Sequence, residues 1–167
     1  MKNLILLLLA LTTMVCAEPY SYGVISDPDG WTNVRYGASL KSKVMTRVDD
    51  GEVVIVVQEL GDFYDVLVLE ANPDRPDSFG YIHKSRVKNV KPAEGAGLIN
   101  DLDGWSNLRA GPSSSSAVRA KLKVEDGGFV VLSPAPSGQD VWYKVVSRRG
   151  KRGYLHGSRI EWLVPRN

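Results

Sequence analysis

The sequence predicts an all-β protein built from two small closed barrels in tandem, and three observations carry that expectation. First, Asp29-Gly30-Trp31-Thr32-Asn33-Val34-Arg35 recurs as Asp103-Gly104-Trp105-Ser106-Asn107-Leu108-Arg109. Likewise Gly80-Tyr81-Ile82-His83-Lys84-Ser85-Arg86 recurs as Gly153-Tyr154-Leu155-His156-Gly157-Ser158-Arg159. The landmarks repeat at nearly one spacing, 74 positions (31 to 105) and 73 (83 to 156), which marks a duplicated module. That period exceeds the roughly 20–50 residues of solenoid repeats, so each copy should own a core. Second, short runs rich in β-branched and aromatic residues alternate with Gly, Pro, Asn and Asp clusters. Third, sustained helical spacing of apolar residues is found only in the N-terminal stretch.

Residues 1–17 read as a cleaved secretory signal: Lys2 is the positive start, Leu4 to Leu11 the apolar centre, and Val15-Cys16-Ala17 the cleavage site. The apolar stretch is shorter than the roughly 20 residues a membrane-spanning helix needs, so the chain is read as exported and not membrane-spanning. A lipoprotein anchored at Cys16 is the rival reading. Lipoprotein signals usually place a small residue before that Cys and Leu three before it, whereas Val15 and Thr13 stand here. Cleavage removes the only Cys, leaving no disulfide, thiol nucleophile or thiolate metal site. Each module must then hold itself with a hydrophobic core that is marginal at this size.

The first module spans 22–90, with strands expected at Tyr22 to Ser26, Lys43 to Val48, Val53 to Gln58, Phe63 to Leu69 and Phe79 to His83. A linker over 91–96 leads to the second module, 97–163, with strands at Leu98 to Asn100, Val118 to Lys123, Phe129 to Leu132, Trp142 to Val146 and Gly153 to His156. Ser85-Arg86 and Ser158-Arg159 are placed in single 3₁₀ turns. Five short strands in a small module favour a closed barrel, which removes exposed edges. The copies differ in two loops: Glu70 to Ser78 is longer in the first, and Ser133 to Gly138 in the second. Loops on a rigid scaffold are common carriers of specificity.

The stretch Gly104-Trp105-Ser106-Asn107-Leu108-Arg109-Ala110-Gly111-Pro112-Ser113-Ser114 resembles the opening signature of bacterial SH3-like (SH3b) domains. Gly153-Tyr154-Leu155-His156-Gly157-Ser158-Arg159 resembles the family's closing strand and turn. The first copy matches too, departing at Tyr36-Gly37-Ala38-Ser39. The resemblance implies two tandem SH3-like barrels used as non-catalytic binding modules, often tied in exported bacterial proteins to cell-wall peptides or glycans. The Ala-Leu-Tyr-Asp-Tyr stretch of eukaryotic SH3 domains is missing, which leaves binding of proline-rich peptides without support.

Charge is split between the modules. Glu18 to Val90 holds 12 acidic and 8 basic residues, and Lys91 to Asn167 holds 7 acidic and 12 basic. Such asymmetry bears on partners, not on fold. Arg148-Arg149-Gly150-Lys151-Arg152 is the densest cluster, and its Gly places it at a hairpin tip with all four cations free to point outward. Its partner would be a wall polymer, lipopolysaccharide or an acidic protein, while the competing reading docks the tip on the acidic first module and fixes the orientation of the two; export disfavours nucleic acid.

Other candidate ligand-binding residues are Trp31, Arg35, Tyr64, Trp105, Arg109 and Trp142. The tryptophans Trp31 and Trp105 lie beside glycines in a turn, where each either stacks on a sugar or peptide or closes one end of its barrel. Arg35 and Arg109 either grip a ligand carboxylate in bidentate fashion or pair with Asp29 and Asp103. Asn33 and Asn107 are placed against backbone groups of the turn. Asp27-Pro28-Asp29-Gly30 and Asp101-Leu102-Asp103-Gly104 invite a calcium reading, but position twelve of such a loop would be Ala38 or Pro112 instead of Glu. No metal or cofactor is expected. His83 and His156 occupy matching places in separate modules, and duplication alone explains them. The reading that follows is a non-catalytic exported protein that binds a cell-envelope ligand. The alternative is a periplasmic or secreted protein–protein adaptor or inhibitor.

Overall fold

Period-two alternation builds both halves of the molecule. The computed structural model describes residues 20–70, 78–135 and 141–164. The expected signal and Cys16, and most of each unequal loop, therefore lie outside the described residues. The first half holds β1 (Ser21–Ile25), β2 (Trp31–Arg35), β3 (Val44–Asp49), β4 (Val53–Leu60), β5 (Phe63–Val68), β6 (Phe79–His83) and β7 (Val87–Pro92). The second half repeats the series as β8 (Gly95–Ile99), β9 (Trp105–Arg109), β10 (Val118–Lys123), β11 (Phe129–Ala135), β12 (Trp142–Ser147), β13 (Arg152–His156) and β14 (Ile160–Val164).

Each half is one seven-stranded antiparallel sheet, ordered β3-β2-β6-β5-β4-β1-β7 and β10-β9-β13-β12-β11-β8-β14. Val48 of one edge strand and Val87 of the other meet in one core with Ile25, Val34, Val54, Val56, Val66, Val68 and Ile82, so the first sheet curls onto itself. The second sheet does likewise around Phe129, Leu108, Leu155, Val131 and Val145.

Two departures from expectation are informative. Trp31–Arg35 and Trp105–Arg109 are strands rather than turns, because Thr32 and Val34, like Ser106 and Leu108, alternate inward along each run. The span 91–96 is no free linker: β7 runs to Pro92 and β8 begins at Gly95, each in a ladder of its own sheet. The 3₁₀ turns fall at Lys84–Arg86 and Gly157–Arg159. Gly80 and Gly153, which open the second repeated motif, have a steric reason. A Cβ there would lie 2.9 Å and 2.6 Å from the carbonyl oxygens of Arg35 and Arg109, where β6 and β13 cross β2 and β9.

The halves share a third core. Tyr22, Val53, Ile55, Leu67 and Leu69 of the first pack with Ala93, Ala96, Val130, Val146 and Val164 of the second. On β4 the odd residues Val53 and Ile55 face this junction, while Val54 and Val56 face their own barrel. The strand is thus covered on both sides, the burial pattern ordinarily met in strands that read as unbroken apolar runs. Backbone groups cross the junction as well: Val53 N–H donates to Arg148 O at 2.8 Å and Gly128 N–H to Leu69 O at 3.1 Å. Gly127, at φ 87°, could not carry a side chain there, since a Cβ would sit 2.3 Å from Leu69 O.

This junction redistributes the basic tip. Arg148 turns inward, and its Nε and Nη2 donate to Glu52 Oε2 at 2.9 and 2.8 Å. Arg152 Nη2 donates to the Tyr22 hydroxyl at 3.2 Å. Only Arg149 and Lys151 keep the outward role expected of all four. The physical reason is Glu52, a carboxylate just 4% exposed, whose charge requires a close cation. Its Oε1 is buried with no hydrogen-bond partner.

Candidate functional site

At one end of each barrel the repeated motifs converge on a cleft. The Asp-x-Asp-Gly turn comes first. Asp27 Oδ1 accepts from Asp29 N–H at 3.1 Å, and Asp101 Oδ1 from Asp103 N–H at 3.2 Å, so the first Asp of each pair stabilises the turn. The same two carboxylates hold an arginine from the closing motif: Arg86 Nη1 to Asp27 Oδ1 at 3.2 Å and Arg159 Nη1 to Asp101 Oδ2 at 2.6 Å. The opening and closing motifs of each copy are thereby tied together. Their long separation in sequence is bridged by one ion pair per module.

Arg35 and Arg109 line the clefts and, instead of pairing with Asp29 and Asp103, bond backbone carbonyls. Their Nη1 groups donate to Ser42 O and Ser116 O, each at 2.8 Å, and so pin the loop between β2 and β3 and its counterpart between β9 and β10. Trp31 and Trp105 stand on the strands with a cation above each ring, Arg47 at 3.8 Å and Lys121 at 3.7 Å from the centroid. Asn33, expected against the turn, has its Oδ1 buried and unpartnered.

His83 and His156 close the last strand of each copy. Nδ1 accepts from the backbone N–H of Ser85 or Ser158 at 3.3 Å, and the serine hydroxyl lies 2.8 or 2.7 Å away. Both rings therefore cap a 3₁₀ turn, which in the neutral imidazole puts the proton on Nε2. Each is met edge-on by an aromatic of β5 or β12: Phe63 at 5.2 Å from His83, Trp142 at 5.3 Å from His156.

The frames match, but the spaces they enclose do not. The cleft of the second half has a volume of about 450 Å³, lined by Asp103, Trp105, Asn107, Trp142, His156 and Ser158 among others. The corresponding cleft of the first half, around Asp29, Trp31, Asn33 and His83, has about 170 Å³. Leu40 lines the smaller cleft where Ser114 lines the larger. Trp142 lines the second cleft, whereas its smaller counterpart Phe63, edge-on to His83, does not line the first.

Of the sequence candidates, Trp105, Arg109 and Trp142 come together in the larger cleft, and Trp31 and Arg35 in the smaller. Tyr64 packs against the first core beneath Lys84, 5.5 Å from its ring centroid, and lines neither cleft. Arg148, Arg149, Lys151 and Arg152 stand apart from both. Ser114, Leu40 and the Asp101–Arg159 pair are not singled out by the sequence reading. Laying the two copies over each other at the 74-residue offset exposes the first two, since a Leu facing a Ser stands out there.

A curled antiparallel sheet with a cleft at its end, framed by aromatics and small polar groups, defines a small β-barrel. Residues 30–88 match the family model described as bacterial SH3 domain. The second half repeats its strand order and motifs. No curated protein matches the chain. Among solved structures, NlpC2 from Trichomonas vaginalis aligns at 10% identity and TM-score 0.35, over 87% of this chain and 48% of that one. NlpC1 from the same organism aligns at 12% and 0.35, over 85% and 45%. An NlpC/P60 family protein from Bacillus cereus aligns at 14% and 0.31, over 86% and 57%. The chain thus spans about half the length of these proteins. Among the described residues, no helix is long and apolar enough to cross a membrane.

Proposed function

We propose that this is an exported, non-catalytic binding protein whose second module holds a cell-envelope ligand, a peptide or glycan fragment of peptidoglycan, in the cleft between Trp105, Trp142 and Ser114. The observation that carries the reading is the volume of that cleft, about 450 Å³, within the 300–1,000 Å³ range of small-ligand sites. The aromatic faces of Trp105 and Trp142 suit a sugar ring or an apolar side chain. Asp103, Asn107 and Ser158 offer hydrogen-bonding groups at the rim.

The non-catalytic reading draws on the histidines. His156 and Ser158 have the atom types of a base and a nucleophile at 2.7 Å. The same pair at 2.8 Å in the first module does the same local work of capping a turn, and that shared duty accounts for it without chemistry. The test is retention of the mature chain on purified cell-wall sacculi beside a Ser114→Leu variant. At least tenfold weaker retention of the variant is expected. Equal retention of the two proteins would remove the cleft from the interaction.

A second reading, a protein–protein adaptor, draws on the first module, where Tyr36, Leu40 and Phe79 are 52, 66 and 51% exposed. Capture of a single envelope protein that is lost on Leu40→Ser, with sacculus binding absent, would favour it.

A further inference from the structure

Along its outer edge, with Lys121 over the cleft tryptophan Trp105, the second module carries a row of cations that the first lacks. β10 is the edge strand of its sheet. Ala120 and Leu122 pack on the core, and Arg119, Lys121 and Lys123 are exposed on the outer face. Same-face residues on a regular strand are about 6.6–6.8 Å apart, and a register irregularity between Val118 and Ala120 falls at Arg119, at one end of the row.

Neighbouring contacts hold the row in place. Arg119 Nη1 donates to Arg152 O at 3.3 Å, and Lys121 lies over the Trp105 ring. Lys123 pairs with Glu125 at 2.8 Å, and this hydrogen bond raises its pKa, keeping it cationic. Where the row ends, Leu122, Asp126, Ser147, Arg149 and Lys151 surround one shallow depression, which brings the tip of the β12–β13 hairpin alongside. Among the described residues, no ion pair holds Arg119, Lys121, Arg149 or Lys151.

Protection of an exposed strand edge is the competing reason for such charges, since a lysine or two deters pairing with another chain. The first module shows how little that purpose requires. Its edge strand β3 has Met45, Arg47 and Asp49 at the places of Arg119, Lys121 and Lys123. One cation suffices there, so the row on β10 exceeds the needs of edge protection. A small anion reaches only one or two side chains held at this interval. A linear polymer whose charges recur at about the same interval meets all three and continues to Arg149 and Lys151.

We propose that β10 and the adjoining hairpin tip form a docking track for a phosphodiester-linked envelope polymer, separate from the cleft and able to act without it. Such polymers place one negative charge per repeat, and release of condensed counterions drives their association with cationic rows.

The test is titration of the mature full-length chain with poly(glycerol phosphate) of defined length between 25 and 300 mM salt. Five contacts to a single-stranded polyanion, from Arg119, Lys121, Lys123, Arg149 and Lys151, give a slope of about −3.5 in log K against log salt. The variant Arg119→Gln/Lys121→Gln/Lys123→Gln should bind at least tenfold more weakly at low salt and with a flatter slope. Its melting temperature should hardly move, because exposed charges contribute little to stability. Ser114→Leu should bind the polymer as the parent does, which separates failure of the track from failure of the cleft. No binding at 25 mM salt, or wild-type binding by the triple variant, overturns the proposal. Tenfold tighter binding of a single-stranded oligonucleotide of equal charge would overturn it in favour of nucleic acid, whereas equal or weaker binding supports it.

Discussion

The clefts of the two modules are framed by the same turn, the same Asp–Arg pair and the same histidine cap, yet one encloses about 450 Å³ and the other about 170 Å³. The frame is therefore what this barrel needs to close its end, and duplication left it untouched. The differences fall on side chains outside that frame, Leu40 against Ser114 and the aromatic beside each histidine. The outer edges diverge in the same way, three cations on β10 against one on β3. What the copies share frames each barrel end, and they part at the cleft walls, the outer edges and the buried Glu52–Arg148 junction. The second module has the greater room and the row of cations.

That comparison can be broken from its structural side first. Arg148→Met leaves the Glu52 carboxylate buried without a cation and should cost about 3–5 kcal/mol in urea unfolding. Adding Glu52→Leu should recover most of that loss, because a buried pair replaced by apolar groups is close to neutral. If Arg148→Met alone unfolds like the parent, the junction is not held as described. Next, Ile55→Ala removes a side chain from the shared core and should destabilise by about 3 kcal/mol. Heat or urea should then unfold both modules in one transition; two separate transitions would show them to be independent after all.

Smaller effects sharpen the functional contrast. Leu40→Ser should open the first cleft and add a second, weaker site for the wall fragment, read as binding stoichiometry by calorimetry. Unchanged stoichiometry would mean that Leu40 is not what closes it. Finally, Asp49→Lys would give β3 a second exposed cation beside Arg47. The salt slope for poly(glycerol phosphate) should steepen from about −3.5 towards about −5 as these cations are engaged. A slope that stays at its original value would show that a strand row alone does not make a track.

Much of this was legible in the sequence. The repeat and the β-branched runs give two antiparallel sheets of similar build. The Gly-Tyr motif marks the close crossing of β6 over β2, and Ser85 and Ser158 mark the 3₁₀ turns. Other features were hidden for identifiable reasons. Trp31–Arg35 sits beside an Asp-Gly turn signal strong enough to mask a five-residue alternation. Val53-Val54-Ile55-Val56-Val57 is an unbroken apolar run, and in a lone barrel a strand should alternate; that excess is the trace of the junction. Glu52, placed just before that run, reads as an ordinary turn residue until its partner, 96 positions away, is brought to it by the packing. Arg35 and Arg109 escape any pattern-based reading because their acceptors are backbone carbonyls, which every sequence supplies.

The shared core also bears on how the duplication can have a future. A freshly copied barrel owes nothing to its twin and can be lost, moved or reused alone. Once Val53, Ile55, Leu67 and Leu69 face Val130, Val146 and Val164, deleting either half leaves the other with a naked apolar face, a liability for aggregation. Each further apolar substitution at that face is harmless while both halves are present and damaging when one is gone. The tandem has thereby become a single heritable unit: later change can tune the clefts and edges freely, but it can no longer easily return to one barrel.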